Sequence, residues 1–142
     1  MKFLTFVDTH DDPTVVKELI KRAKQNDIDF MICAGDLAMF GQGLRRNLKQ
    51  FNSVGKKFYI IPGNHEEYGL EYEKMVSDYK NCINFHKKVF EIGDYVFLGY
   101  GGGGFALKDP EFRKLARKWY GKYKDKKIIL VTHGGPYGTK ID

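Results

Sequence analysis

Four short apolar runs in this 142-residue chain each end in residues able to bind metals or move protons. Residues 2–7 (KFLTFV) precede Asp8-Thr9-His10, and residues 28–34 (IDFMICA) precede Gly35-Asp36. Residues 57–61 (KFYII) lead through Pro62 into Gly63-Asn64-His65-Glu66. Residues 127–131 (KIILV) lead into Thr132-His133-Gly134-Gly135-Pro136. Runs of this length, bounded by turn residues, read as buried strands. Asp8 to Asp36 is 28 residues, and Asp36 to Asn64 is again 28. One βαβ unit takes roughly 30 residues. The motifs therefore recur once per unit and are expected side by side at the carboxyl edge of one sheet. Open α/β sheets bind their ligands there.

The segments between these runs carry helical periodicity. Pro13 suits the first position of a helix, and Val15, Val16, Leu19, Ile20 and Ala23 follow at helical spacing. Helices are also expected at 44–51, 71–79 and 110–120, the last with Phe112, Leu115, Ala116 and Trp119 on one side. Residues 83–86, 89–92 and 95–100 are short and β-rich, and Gly93-Asp94 is a hairpin signal in reversed order. The class is α/β, with a mainly parallel sheet and helices packed on it. No linker or composition break divides the chain, so one domain over 1–142 is expected.

Composition narrows the setting. At 42% hydrophobic and 30% charged residues, the chain suits a soluble globular protein rather than a disordered one. It holds no apolar run of about 18 residues, so no membrane span is expected. The opening MKFLTFVDTHDD lacks the apolar core of a secretory signal. Cys33 and Cys82, the only cysteines, make neither a disulfide framework nor a zinc cluster, and a cytoplasmic location is expected.

Each motif has an ordinary reading when taken alone. Asp8 could cap the next helix, Gly35-Asp36 could be a plain turn, and His10 could be a surface histidine. Together, carboxylate, imidazole and amide oxygen favour a borderline divalent metal such as Mn, Fe, Zn or Ni over calcium. A carboxylate can bridge two ions. Two ions ~3.5–4 Å apart can share a hydroxide and clamp both the attacking and the leaving oxygen of a phosphoryl transfer.

With D-x-H, G-D, G-N-H-E and H-G-G-P in this order, the chain resembles the calcineurin-like metallophosphoesterases over essentially its whole length. The resemblance implies a two-sheet sandwich flanked by helices (αββα). It implies that Asp8 and His10 hold a first metal, that Asp36 bridges, and that Asn64 and His133 hold a second. His65 would face the substrate as general acid or transition-state stabiliser. The implied activity is hydrolysis of a phosphomonoester or phosphodiester by a metal-bound hydroxide, with nucleic acid or a nucleotide among the candidate substrates.

Two departures qualify this resemblance. The family's G-H-x-H motif, after one further strand, does not occur in these residues, so each ion is expected to lack one imidazole. Many relatives carry an Asp three residues after the bridging one to orient the histidine, and that position is Met39 here. Two rival functions follow: a metal-binding fragment without turnover, and a polyanion-binding or nucleic-acid-binding module. The second draws on the net charge of +6 and on the basic stretch Arg113, Lys114, Arg117, Lys118, Lys122, Lys124, Lys126 and Lys127. A solvated helix face with the loop after it is the more ordinary reading of that stretch. Residues 99–104 fit G-x-G-x-x-G, but no helix opens at once and positions 117–124 hold no acid. A glycine loop near the metal edge, shaping a substrate cleft, fits better than a dinucleotide site. The aromatic residues Tyr68, Tyr72, Phe85, Tyr95, Phe97, Tyr100 and Phe105 read as core, with exposed members available for stacking.

Overall fold

The computed structural model describes residues 1–66, 69–103 and 108–135. The first sheet contains β1 (Phe3–Phe6), β2 (Phe30–Cys33), β3 (Phe58–Ile60) and β4 (Cys82–Asn84), all parallel and in sequence order. Helices α1 (Pro13–Ala23), α2 (Leu44–Asn52) and α3 (Leu70–Ser77) make the three crossovers. Crossovers between parallel strands are right-handed. When strands add in one direction, that hand places every helix on one face and leaves the other face free.

The alternation along β2 follows from this. Met31 and Cys33 enter a core with Val16, Leu48, Phe51 and Phe58 on the helical side. Phe30 and Ile32 enter a second core with Tyr59, Ile61, Phe85 and Phe97. Both faces are buried, which explains why the strand reads as a continuous apolar run. The second core is closed by a three-stranded sheet of β5 (Lys88–Ile92), β6 (Tyr95–Tyr100) and β7 (Lys127–Thr132). The outer face of that sheet packs on α4 (Pro110–Tyr123) through Val96, Leu98, Tyr100, Trp119 and Tyr123. The layers are therefore helix, sheet, sheet, helix, the architecture the resemblance implied.

Periodicity alone suggested one mainly parallel sheet, and the structure holds two. The division falls at the hairpin, where β5 and β6 pair antiparallel. Gly93 turns it with φ +58°, which glycine adopts without strain. β7 then returns parallel to β6 through α4. Helix α4 runs to Tyr123 rather than 120, because Tyr123 lies one turn beyond Trp119 and buries on the same sheet. Strand β4 ends at Asn84, short of the expected 86. Beyond it the Asn84 side chain accepts the His86 N–H, and His86 Nδ1 accepts the Gly101 N–H. Of the aromatic residues, Tyr72, Phe85, Phe97 and Tyr100 are buried, while Tyr95 is partly exposed. Tyr68 and Phe105 lie outside the described residues. No helix among the described residues is long and apolar enough to cross a membrane.

Candidate metal centre

The loop after β1 is braced against the loop after β2. Asp8, His10 and Asp11 donate their backbone N–H groups to the carbonyls of Gly35, Asp36 and Leu37. The buried Thr9 hydroxyl also donates to the Leu37 carbonyl. Asp12, not Asp8, caps α1: its carboxylate accepts from the N–H groups of Thr14 and Val15. The capping reading of Asp8 therefore fails, and its carboxylate is left for the site.

This bracing holds the backbone in unusual places. Asp8, His10 and Asp36 have φ of +55°, +46° and +51°. Non-glycine residues seldom occupy that region, and strain of this kind clusters at functional sites. Gly35 has φ +106°, and a Cβ there would meet Gly63 Cα and His133 Nδ1, each at 2.7 Å. A Cβ on Gly63 would collide with Asp36. The two glycines let the loops after β2 and β3 close on each other and on His133.

Three imidazoles converge on one oxygen of Asp36, a residue only 2% exposed. His10 Nε2 is 3.2 Å from Asp36 Oδ2, His133 Nε2 is 3.6 Å and His65 Nε2 is 3.8 Å. The other oxygen, Oδ1, accepts the His65 N–H at 2.9 Å. Asp8 Oδ1 lies 3.8 Å from His10 Nε2 and 4.0 Å from His133 Nδ1. Asn64 Oδ1 lies 2.7 Å from His133 Nε2. All six residues singled out in the sequence thus meet at one sheet edge. By ligand-atom spacing they form two overlapping triads, His10–Asp36–His65 and Asp8–Asp36–His133. The first brings His65 within ligand reach, a grouping the sequence did not suggest.

The donor set fits a cation. His133 Nδ1 lies 3.0 Å from the Ala34 carbonyl, which can only accept, so Nδ1 carries the proton. The neutral ring then aims its Nε2 lone pair at Asn64 Oδ1, another acceptor. Two lone pairs at 2.7 Å are reconciled by protonating the ring or by a cation facing both. A carbonyl fixing the tautomer of a ligand histidine is a common feature of metal sites.

Glu66 is a functional residue whose role sequence reasoning missed. Its buried carboxylate accepts three backbone N–H groups at 2.8 Å, those of Asp36, Ala38 and Gly63. It therefore ties the Asp36 loop to the G-N-H-E loop. Burial raises its pKa above the ordinary carboxylate value, and the three N–H donors oppose that rise. The signal was its place as the last residue of G-N-H-E, three residues beyond the glycine it binds.

Met39 leaves His65 without the expected acid. His65 Nδ1 is buried and has no hydrogen-bond partner among the described residues. The ring is instead flanked by rings: Phe40 at 4.5 Å and His10 at 4.9 Å between centroids. Packing takes the place of an orienting hydrogen bond. The glycine run after β6 abuts this edge, since Gly102 N–H donates to the Pro62 carbonyl at 2.6 Å and a Cβ on Gly101 would strike Pro62. Gly104 lies outside the described residues. Cys33, directly below, is buried, and burial pushes its thiol pKa far up, so it contributes no thiolate.

Comparison with known proteins agrees with this geometry. A family model for calcineurin-like phosphoesterases matches residues 1–142. The structure is similar to TT1561 of Thermus thermophilus, with a TM-score of 0.78 at 16% identity, covering 99% of this chain and 70% of that one. A second solved structure gives 0.66 at 12% identity, covering 90% and 66%. Uncharacterized protein L509 of Acanthamoeba polyphaga mimivirus is 24% identical over 110 residues, 68% of this chain. The match spans only 39% of that viral protein's length.

Proposed function

Because this chain belongs to the calcineurin-like phosphoesterase family, we propose that it hydrolyses phosphoric esters at a two-metal site formed by Asp8, His10, Asp36, Asn64 and His133. The observation that carries this reading is the convergence of three imidazole Nε2 atoms on Asp36 Oδ2. Asp36 would bridge the ions, Asp8 and His10 would hold one, and Asn64 and His133 the other. When bound, such ions lower the pKa of water toward ~7 and neutralise charge on phosphoryl oxygens.

The chain's own residues supply the rest. Asp8, His10 and Asp36 are set in place by backbone hydrogen bonds before any ligand arrives. The carbonyl of Ala34 holds the His133 proton on Nδ1 and keeps Nε2 free to ligate. Water attacks phosphorus in line with the leaving oxygen and gives up one of its protons to bulk solvent. The bond from phosphorus to that oxygen breaks, and His65, protonated on Nε2, gives the oxygen its proton.

Turnover of bis(p-nitrophenyl) phosphate, with and without Mn(II) and chelator, tests the assignment. Hydrolysis that appears with metal and disappears with chelator is expected. His65→Ala should keep the metal and lose ~10²–10⁴-fold in rate on a poor alkyl leaving group, with a smaller loss on p-nitrophenyl. Loss of bound metal in that variant would instead make His65 a ligand, as the His10–Asp36–His65 triad allows. Metal binding without turnover would overturn the hydrolase reading. Nucleic-acid binding that ignores chelator would favour the polyanion-binding rival.

A further inference from the structure

One wall of the cleft beside His65 is an aromatic ring that packs on that histidine and carries no reacting group of its own. Between β2 and α2 the chain makes a tight turn in which the Gln42 N–H donates to the Met39 carbonyl at 3.0 Å. Its two central residues, Phe40 and Gly41, have φ of +49° and +75°. Positive φ at both positions marks the I′ class, where glycine and asparagine are usual and a bulky residue is an outlier. Phe40 holds that backbone and is itself 74% exposed. The turn gives up backbone freedom and leaves an apolar ring in water, and both are unfavourable unless something covers the ring.

The ring's surroundings indicate what that is. Beside it opens a cavity of about 700 Å³ whose lining includes the apolar Phe40, Leu44, Tyr72 and Met75 and the polar Asn64, His65 and Glu66. That volume is in the range of small-molecule sites. Glu71 also borders the cavity and disfavours a negatively charged occupant. The order of groups matters most. The Asp36 cluster marks the phosphoryl position, and His65 reaches both that cluster, at 3.8 Å from Asp36 Oδ2, and the Phe40 ring, at 4.5 Å between centroids. Whatever the leaving oxygen carries past His65 therefore arrives at the Phe40 face.

We propose that this cleft binds an uncharged planar aromatic ring, carried on the leaving oxygen of the phosphoester and seated against Phe40. The inference rests on the hydrolase reading and adds a substrate class to it. Leu44 and Tyr72 are themselves buried, so the exposed apolar surface at this cleft is chiefly the Phe40 ring. A flat exposed face adds the offset or edge-on geometry that aromatic pairs prefer.

The test compares two ligands of similar size on the metal-loaded chain. Benzylphosphonate and cyclohexylmethylphosphonate are titrated by calorimetry into the wild type and into Phe40→Ala and Phe40→Trp. The wild type should prefer the benzyl compound by about tenfold, within the span that aromatic stacking gives. Phe40→Ala should bring the ratio to about one, and Phe40→Trp should keep it. If Phe40→Ala does not fold, Phe40→Leu serves, with the same expected collapse of the ratio. Equal affinities in the wild type, or a preference that survives Phe40→Ala, would overturn the subsite. Turnover of a bis(trifluoroethyl) phosphate, which has no aromatic ring, reads the hydrolase assignment separately. Turnover of that ester with no aromatic preference removes the subsite alone, whereas no turnover and no phosphonate binding remove both.

Discussion

The loops after β1, β2 and β3 and the outer layer of β6, α4 and β7 are both rich in charge, but they obey different local rules. In the loops, Asp8, His10, Asp11, Asp36 and Phe40 all sit at positive φ. No residue within β6, α4 or β7 does so. Helix α4 opens with Pro110, and its cap Asp109 accepts the Phe112 N–H. Its Trp119 and Tyr123 face the sheet, and its lysines and arginines face solvent. A segment that satisfies every local rule needs no function to explain it. The loops break several rules at once, and the breaks fall on residues with ligand chemistry. That coincidence is where functional sites are expected. The basic stretch, taken in sequence as either a solvated face or a polyanion footprint, lies exposed on and after α4 as both readings require.

Substitutions on the two sides should differ in proportion. Asp36→Ala is expected to have the largest effect. Outer partners of metal ligands alone cost ~10–100-fold in affinity, and the ligand proposed to bridge should exceed that. Metal titration by calorimetry should show a loss of more than ~100-fold, with hydrolysis at background. Unchanged metal binding would remove Asp36 from the centre.

The seam between the two regions should show in acid. His86 lies beyond the end of β4 and accepts the Gly101 N–H, joining the two sheets. Burial lowers its pKa from 6.5 to about 4. The unfolded chain therefore binds this proton more readily than the folded one. The stabilisation is complete above about pH 6.5 and is lost as pH falls toward 4, on the order of a few kcal/mol. Denaturant midpoints across that window should fall more steeply in the wild type than in His86→Asn, whose amide oxygen can still accept from Gly101. Parallel curves would show that His86 does not report on the seam.

Glu66→Gln tests the brace with a smaller expected effect. A neutral amide keeps the shape, but its NH2 end cannot accept, so at least one buried N–H loses its partner. The cost of such a loss is ~1–3 kcal/mol. Chemical denaturation should show it, together with weaker metal binding as the two loops loosen. Stability lost with metal affinity intact would confine Glu66 to folding. The smallest change is expected on the far side. Lys118→Glu, on the exposed face of α4, should shift stability by no more than ~0.5 kcal/mol and leave turnover unchanged. A change in rate above twofold would break the contrast and revive the polyanion reading.

The sequence was legible where one local signal had one meaning. Pro13 and Pro110 marked helix starts, buried strands read as unbroken apolar runs, and the 28-residue recurrence placed Asp8, Asp36 and Asn64 at successive strand ends. Those features depend on backbone chemistry and on the fixed length of a βαβ unit, both carried by the chain itself. What the sequence left open depended on groups far apart along it. Asp8 could have been a cap until Asp12 took that role. Glu66 gained its meaning from N–H groups up to 30 residues away. His133 joined the site across 99 residues through the Ala34 carbonyl. The neighbour of His65 proved to be an aromatic ring on a strained turn rather than an acid. Periodicity reports which face of an element is buried, but not what lies against that face. Packing decided the partners, because each contact formed only after two sheets and the loops between them had closed on one edge.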